Sequence, residues 1–160
     1  MKNTLIFLII LLGFSFSEEY VEYREDGQIW KTGNIKDGKW DGLWTIYNMN
    51  GQIAQEGEYK DGKAHGKHSI YDGNGNLLKE QNYKEGELDG TYIWYYENGS
   101  VNSLAHYKDS KQVGKYIFYD LNGQVYWEGN YQDGNLSDGD FLKPEKKHNI
   151  RPLYSKWMLA

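Results

Sequence analysis

Four columns of residues recur at intervals of 24 along nearly the whole chain, and this period constrains the fold more than any other feature. Tyr23, Tyr47, Tyr71, Tyr95 and Tyr119 form one column, and Gly27, Gly51, Gly75, Gly99 and Gly123 a second. Ile29, Ile53, Leu77, Val101 and Val125 form a third, and Ile35, Tyr59, Tyr83, Tyr107 and Tyr131 a fourth. A unit this short cannot bury a face alone, so the copies must stack on one another. A stacked array presents a surface in preference to a pocket, which points to binding ahead of catalysis.

Composition narrows the class further. With 6 Trp, 15 Tyr, 5 Phe and only 2 Pro in 160 residues, the chain is too aromatic to stay disordered. It has no cysteine, which excludes a disulfide framework, a thiolate metal site, a cysteine nucleophile and lipid attachment through cysteine, so a lipoprotein is not expected.

The first residues read as an export signal. Lys2 supplies a positive charge, Leu5 to Leu12 is an unbroken apolar run, and Ser15-Phe16-Ser17 offers small residues where a signal peptidase cuts. Cleavage is expected after Ser17, giving a signal peptide over 1–17. The alternative is a retained anchor, but the apolar stretch from Thr4 to Phe16 falls short of the roughly 20 residues that span a bilayer. The expected location is therefore outside the cytoplasm (periplasmic, cell-surface or secreted), with no transmembrane segment after cleavage.

Residues 18–142 carry 12 basic and 22 acidic residues, whereas residues 143–160 carry five basic and one acidic. An acidic array repels a phosphate backbone, so no nucleic-acid partner is expected. The basic tail reads as a solvated end, a docking segment, or a cap in which Phe141, Leu153, Tyr154, Trp157 and Met158 fold over the last strand edge.

Within one copy, two short runs rich in aromatic and β-branched residues flank Asn50-Gly51, a strong hairpin signal. Asn74-Gly75, Asn98-Gly99 and Asn122-Gly123 repeat it, with Asp26-Gly27 in the first copy. Asp37-Gly38, Asp61-Gly62, Glu85-Gly86 and Asp133-Gly134 join successive units, and Asp109-Ser110 stands in the fourth, where a looser connection is expected. The expected fold is all-β: a single-layer, elongated antiparallel sheet of stacked hairpins over 18–142, in five to six repeats.

Register decides the faces. A two-residue loop pairs Asn48 with Ile53 and Trp44 with Gly57; a three-residue loop ending in a left-handed glycine pairs Tyr47 with Ile53. The second is expected, because it puts two unbroken apolar columns together. Simple alternation then places Ile53, Gly57 and Tyr59 on one buried face, with Gly57 leaving room for a ring. Trp44, His68, Tyr92, Trp94, Tyr116 and Phe118 fall on the other. Two readings of those rings stay open: an exposed binding surface, or a ladder packed along the stack.

The pattern G-x-[aromatic]-x-x-Y-x-x-N-G-x-[aliphatic]-x-x-x-G-x-Y-x-[D/E]-G resembles the MORN repeat in its bacterial variant form. Residues 42–65, 66–89, 90–113 and 114–138 are four copies, 18–41 is a weaker first one, and Gly139-Asp140-Phe141 begins a sixth. Gln81 and Ala105 replace the second-strand glycine, and Asp138 adds one residue. Choline- or glycan-binding wall repeats and the tyrosine-aspartate repeats of toxin shells share single strings but not the full pattern. The resemblance implies a scaffold for protein contacts, with lipid binding in some members. It also carries an antitoxin-like label; a cytoplasmic antitoxin is at odds with an export signal, whereas an immunity role outside the cytoplasm is compatible with one.

Chemistry has few footholds. Asp72-Gly73-Asn74-Gly75-Asn76 begins like a calcium loop but lacks the glycine and bidentate glutamate that should follow, so it reads as a turn. His65, His68, His106 and His148 lack metal-site spacing. Asp138 and Asp140 are the only deviant carboxylate pair. No enzyme activity, metal or cofactor is expected. The expected partner is a protein bound through Trp44, Tyr92, Trp94, Tyr116 and Phe118; the alternative is an envelope glycan stacked on the same rings.

Overall fold

A computed structural model describes residues 17–141, and they form one antiparallel sheet of 11 strands in sequence order. The strands are β1 (Ser17–Tyr23), β2 (Ile29–Lys36), β3 (Lys39–Tyr47), β4 (Ile53–Lys60), β5 (Lys63–Tyr71) and β6 (Leu77–Lys84). They continue as β7 (Glu87–Tyr95), β8 (Val101–Lys108), β9 (Lys111–Tyr119), β10 (Val125–Gln132) and β11 (Asn135–Phe141). Every strand bonds only to its chain neighbours, as a 24-residue unit of two strands and two turns dictates. The all-β, stacked-hairpin expectation holds. Most of the expected signal peptide and the basic tail lie outside the described residues, as does His148.

The Asn-Gly hairpins close as three-residue loops. The Asn48 carbonyl accepts from Gly51 N at 3.1 Å, Asn48 N donates to the Gln52 carbonyl at 2.7 Å, and Gly51 sits at φ +80°. Asp72, Tyr96 and Asp120 start the same arrangement in later copies. Asp72 also caps its own loop, its carboxylate accepting from the backbone of Asn74 at 2.8 Å and Asn76 at 2.9 Å.

Tyr47 pairs with Ile53, as expected from that loop, yet Ile46 pairs with Gln55 and Trp44 with Gly57. The register shifts by one residue between Ile46 and Tyr47, leaving Ala54 as a β-bulge. The bulge reverses the pleat. Ile53 stays with Tyr47, whereas Gly57 and Tyr59 pass to the face that carries Trp44. The expectation that Ile53 and Tyr59 share a face is thereby corrected, and with it the separation of the Tyr59 and Trp44 columns.

The connecting turns are two-residue loops with both residues left-handed, as at Asp61 (φ +51°) and Gly62 (φ +80°). Asp109-Ser110 is no looser: Ser110 takes φ +62° and donates its N–H to the Leu88 carbonyl at 2.9 Å. Gly62, Gly86 and Gly134 make the equivalent bond to Trp40, Ala64 and Gln112. These bonds tie each turn to the one before it, 22 residues back in sequence.

The core lies on the face of Trp44. That indole is 1% exposed, the most buried large side chain among the described residues. It stacks on Trp40 with centroids 3.7 Å apart, tilts against Tyr20 at 5.4 Å, and donates from Nε1 to the Asn34 carbonyl at 3.1 Å. One layer can bury a tryptophan because the ring lies flat on a bare backbone. A Cβ on Gly33 would stand less than 3.0 Å from the indole, and one on Gly57 equally close to the His68 imidazole. Gly57 does make room for a ring, and that ring is His68.

Candidate binding face

The registers resolve the ring face into two rows that cross the strands. The inner row holds Trp44, Gly57, His68, Gln81, Tyr92 and Ala105 in direct pairing. Tyr116 and Gly129 continue it. The outer row runs Lys31, Ile46, Gln55, Ile70, Lys79, Trp94, Ser103, Phe118 and Trp127, each paired with the next.

The inner row is packed, not open. His68 is 3% exposed, meets Tyr59 and Tyr83 edge-on at 5.1 and 4.8 Å, and places Nε2 2.8 Å from the Glu58 carbonyl. Burial pushes its pKa down, against the opposing pull of the Glu58 carbonyl. Tyr92 approaches Tyr107 at 5.6 Å, and Tyr116 approaches Tyr131 at 6.0 Å. Burial also pushes phenols up: Tyr59, Tyr83, Tyr92, Tyr107 and Tyr131 titrate above the usual range, and Tyr116 at about 12. These rings form a cross-strand aromatic ladder.

The five expected binding residues therefore separate. Trp44 is a core residue, and its placement on an open face is corrected. Tyr92 and Tyr116 are ladder members, half-buried. Phe118 is half-buried against Tyr116 at 4.5 Å, Trp127 at 5.6 Å and Tyr126 at 5.9 Å. Trp94 stands out at 42% exposed. Its indole tilts against the Tyr92 ring with centroids 6.0 Å apart, and the Lys79 ammonium lies 5.1 Å from its centroid.

Lys79 is a member of this site that inspection of the sequence passed over. Its column contains Lys31, Gln55, Lys79, Ser103 and Trp127, and that variation inside an otherwise regular array was the signal available. Lys31 shows what a lysine does there: it lies over Trp30 at 4.6 Å and Trp40 at 5.3 Å, and pairs with Glu22 at 3.0 Å.

The opposite face has a different character. Tyr71 donates to Glu56 at 2.6 Å and Tyr95 to Glu80 at 2.9 Å. Lys67 pairs with Glu80, and Lys115 with Glu128 at 3.2 Å. Burial and Glu80 together push Tyr95 up to about 12, while Lys67 and Tyr95 hold the Glu80 carboxyl down. A carboxylate held ionised has little to offer as a general acid. Asp138 and Asp140 sit exposed on β11, facing Asn130 and Glu128 across the ladder.

Among the described residues, no cluster of three or more histidines and carboxylates could hold a metal ion. Among them also, no helix is long and apolar enough to cross a membrane.

The sequence profile described as MORN repeat variant matches residues 40–61, 64–85, 88–109 and 112–136. No curated protein matches the chain. Repeats of this kind generally serve binding and scaffolding. The four matched stretches fill more than half of the sequence and coincide with the strand pairs from β3 to β10, so the chain belongs to the MORN repeat variant family.

Proposed function

We propose that this protein is an exported, non-enzymatic scaffold that binds a partner protein through the outer row of its ring face. The observation that carries the reading is Trp94: an indole 42% exposed, flanked by the Tyr92 ring and the Lys79 ammonium, on a sheet whose other large rings on that face are mostly spent on packing. A large aromatic held in one orientation loses little entropy on binding and is a frequent interface anchor. Export is supported by the sequence of residues 1–17 alone.

The test is a crosslinked pull-down of the tagged, full-length protein from its native envelope, run beside Trp94→Ala. One dominant protein recovered with the unaltered chain and lost with Trp94→Ala supports the reading. Retention on purified wall glycan, with no protein recovered, replaces it by the carbohydrate reading.

A further inference from the structure

The four Asn-Gly loops share one backbone but divide into two kinds by what caps them. In each, the glycine N–H donates to the carbonyl three residues earlier: Gly51 to Asn48 and Gly75 to Asp72 at 3.1 Å, Gly99 to Tyr96 and Gly123 to Asp120 at 2.9 Å. The four glycines lie between φ +77° and +85°, and all four asparagines are exposed. The loops part at the residue after the glycine, whose N–H takes a second acceptor from within the loop. At Asn50-Gly51 and Asn98-Gly99 the asparagine itself supplies it. Asn50 Oδ1 accepts from Gln52 N at 3.1 Å, and Asn98 Oδ1 accepts from Ser100 N at 3.0 Å and Ser100 Oγ at 2.7 Å. Asn50 Nδ2 also donates to the Gly73 carbonyl at 2.7 Å.

In the other two loops an aspartate at the loop start takes over that task. Asp72 Oδ1 accepts from Asn76 N at 2.9 Å, and Asp120 Oδ1 from Gln124 N at 2.8 Å. Asn48 and Tyr96 hold the same position in the first kind. Asn74 and Asn122 give these aspartates only their backbone N–H, and among the described residues neither side-chain amide has a hydrogen bond. A free carboxamide thus stands next to a glycine nitrogen that no Cβ shields.

We propose that Asn74 and Asn122 are sites of spontaneous deamidation, against which Asn50 and Asn98 are held by their own capping bonds. The Gly75 nitrogen attacks Asn74 Cγ and gives its proton to solvent, and the side-chain nitrogen leaves as ammonia, so that a cyclic succinimide remains. Water opens the ring at either carbonyl, to aspartate or to isoaspartate; one water is taken up for each ammonia released. Gly123 acts on Asn122 in the same way. The attack swings the carboxamide onto the following nitrogen, and an oxygen bonded to Gln52 N or Ser100 N must first break that bond. Isoaspartate inserts an atom into the backbone of a loop whose length sets the strand register, and either product puts a second carboxylate beside Asp72 or Asp120. This chemistry is independent of the partner-binding reading above.

The experiment incubates the full-length protein in mildly alkaline heavy-oxygen water, both folded and in concentrated urea, and follows label uptake at each Asn-Gly by peptide mass spectrometry. In the folded protein Asn74 and Asn122 should convert about tenfold faster than Asn50 and Asn98, the worth of one hydrogen bond lost on reaching the transition state. In urea the four rates should draw level. Asn48→Asp, which gives the Asn50 loop the second kind of cap, should raise the Asn50 rate toward that of Asn74. Equal rates in the folded protein, or faster conversion at Asn50 or Asn98, would overturn the proposal. So would the same order and spread in urea, which would make it a property of sequence and not of the loops. No conversion at Asn74 and Asn122 over a time that converts the unfolded chain would overturn it too, and an Asn50 rate unmoved by Asn48→Asp would overturn the capping bond as its basis.

Discussion

The Trp44 indole occupies the space in which any side chain on Gly33 would have to stand, one strand away on the same face. The next unit repeats this contact of a ring with a bare backbone, His68 lying over Gly57, whereas in the third unit Tyr92 faces Gln81 across the ladder.

Gly33→Ala should therefore destabilise the protein by about 2 kcal/mol, since the added methyl must displace the ring or the strand. Urea unfolding followed by tryptophan fluorescence measures it. A cost below about 0.5 kcal/mol would show that the sheet yields and the contact is not tight.

Trp44→Ala and Trp94→Ala should part company. The first empties the most buried position and should cost about 3–5 kcal/mol. The second removes an exposed ring and should change stability by no more than about 0.5 kcal/mol. Thermal melts of the two variants, side by side, check this. Equal losses would mean that Trp94 is also core and unfit as a binding anchor.

His68 gives the stability a pH dependence. Burial lowers its folded pKa below the unfolded value of about 6.5. Between those two values the unfolded chain binds more protons, so stability rises with pH there. The contribution is complete above the unfolded pKa and drains away as pH falls below it. Comparing His68→Tyr with the unaltered protein at pH 5 and pH 7.5 isolates it: the variant should show a shallower acid loss. An identical slope in both would mean that His68 titrates normally.

Tyr95 acts at the other extreme. Burial and the Glu80 carboxylate raise its phenol to about 12, so the folded state keeps a proton that the unfolded state releases near 10. Stability from this source is present below pH 10 and is lost as pH climbs toward 12. Tyr95→Phe removes a hydrogen bond to a charged acceptor and should cost about 1–2 kcal/mol at neutral pH. It should also remove one of the two latest-titrating phenolates, the other being Tyr116, from an absorbance titration near 295 nm. Loss of an ordinary, early-titrating phenolate instead would show the contact with Glu80 to be absent in solution.

Sequence alone determined the unit and its punctuation. The period of 24 set two strands and two turns per copy, Asn50-Gly51 set a three-residue loop that pairs Tyr47 with Ile53, and the small residue at Gly57 marked a place for a ring. The faces were decided only in the tertiary structure. Because side chains alternate with a period of two, the single unpaired residue Ala54 exchanges the two sides of β4 between Ile53 and Gly57. No apolar column records that exchange, since Ile53 and Tyr59 recur every 24 residues whichever side each one takes. Burial was settled the same way. Trp44 and Trp94 are both tryptophans on one face, yet Trp44 has Gly33, Trp40 and Tyr20 around it while Trp94 has Tyr92, Lys79 and water. What separates a core ring from an exposed one is the neighbours on adjacent strands, and only the folded sheet brings those together.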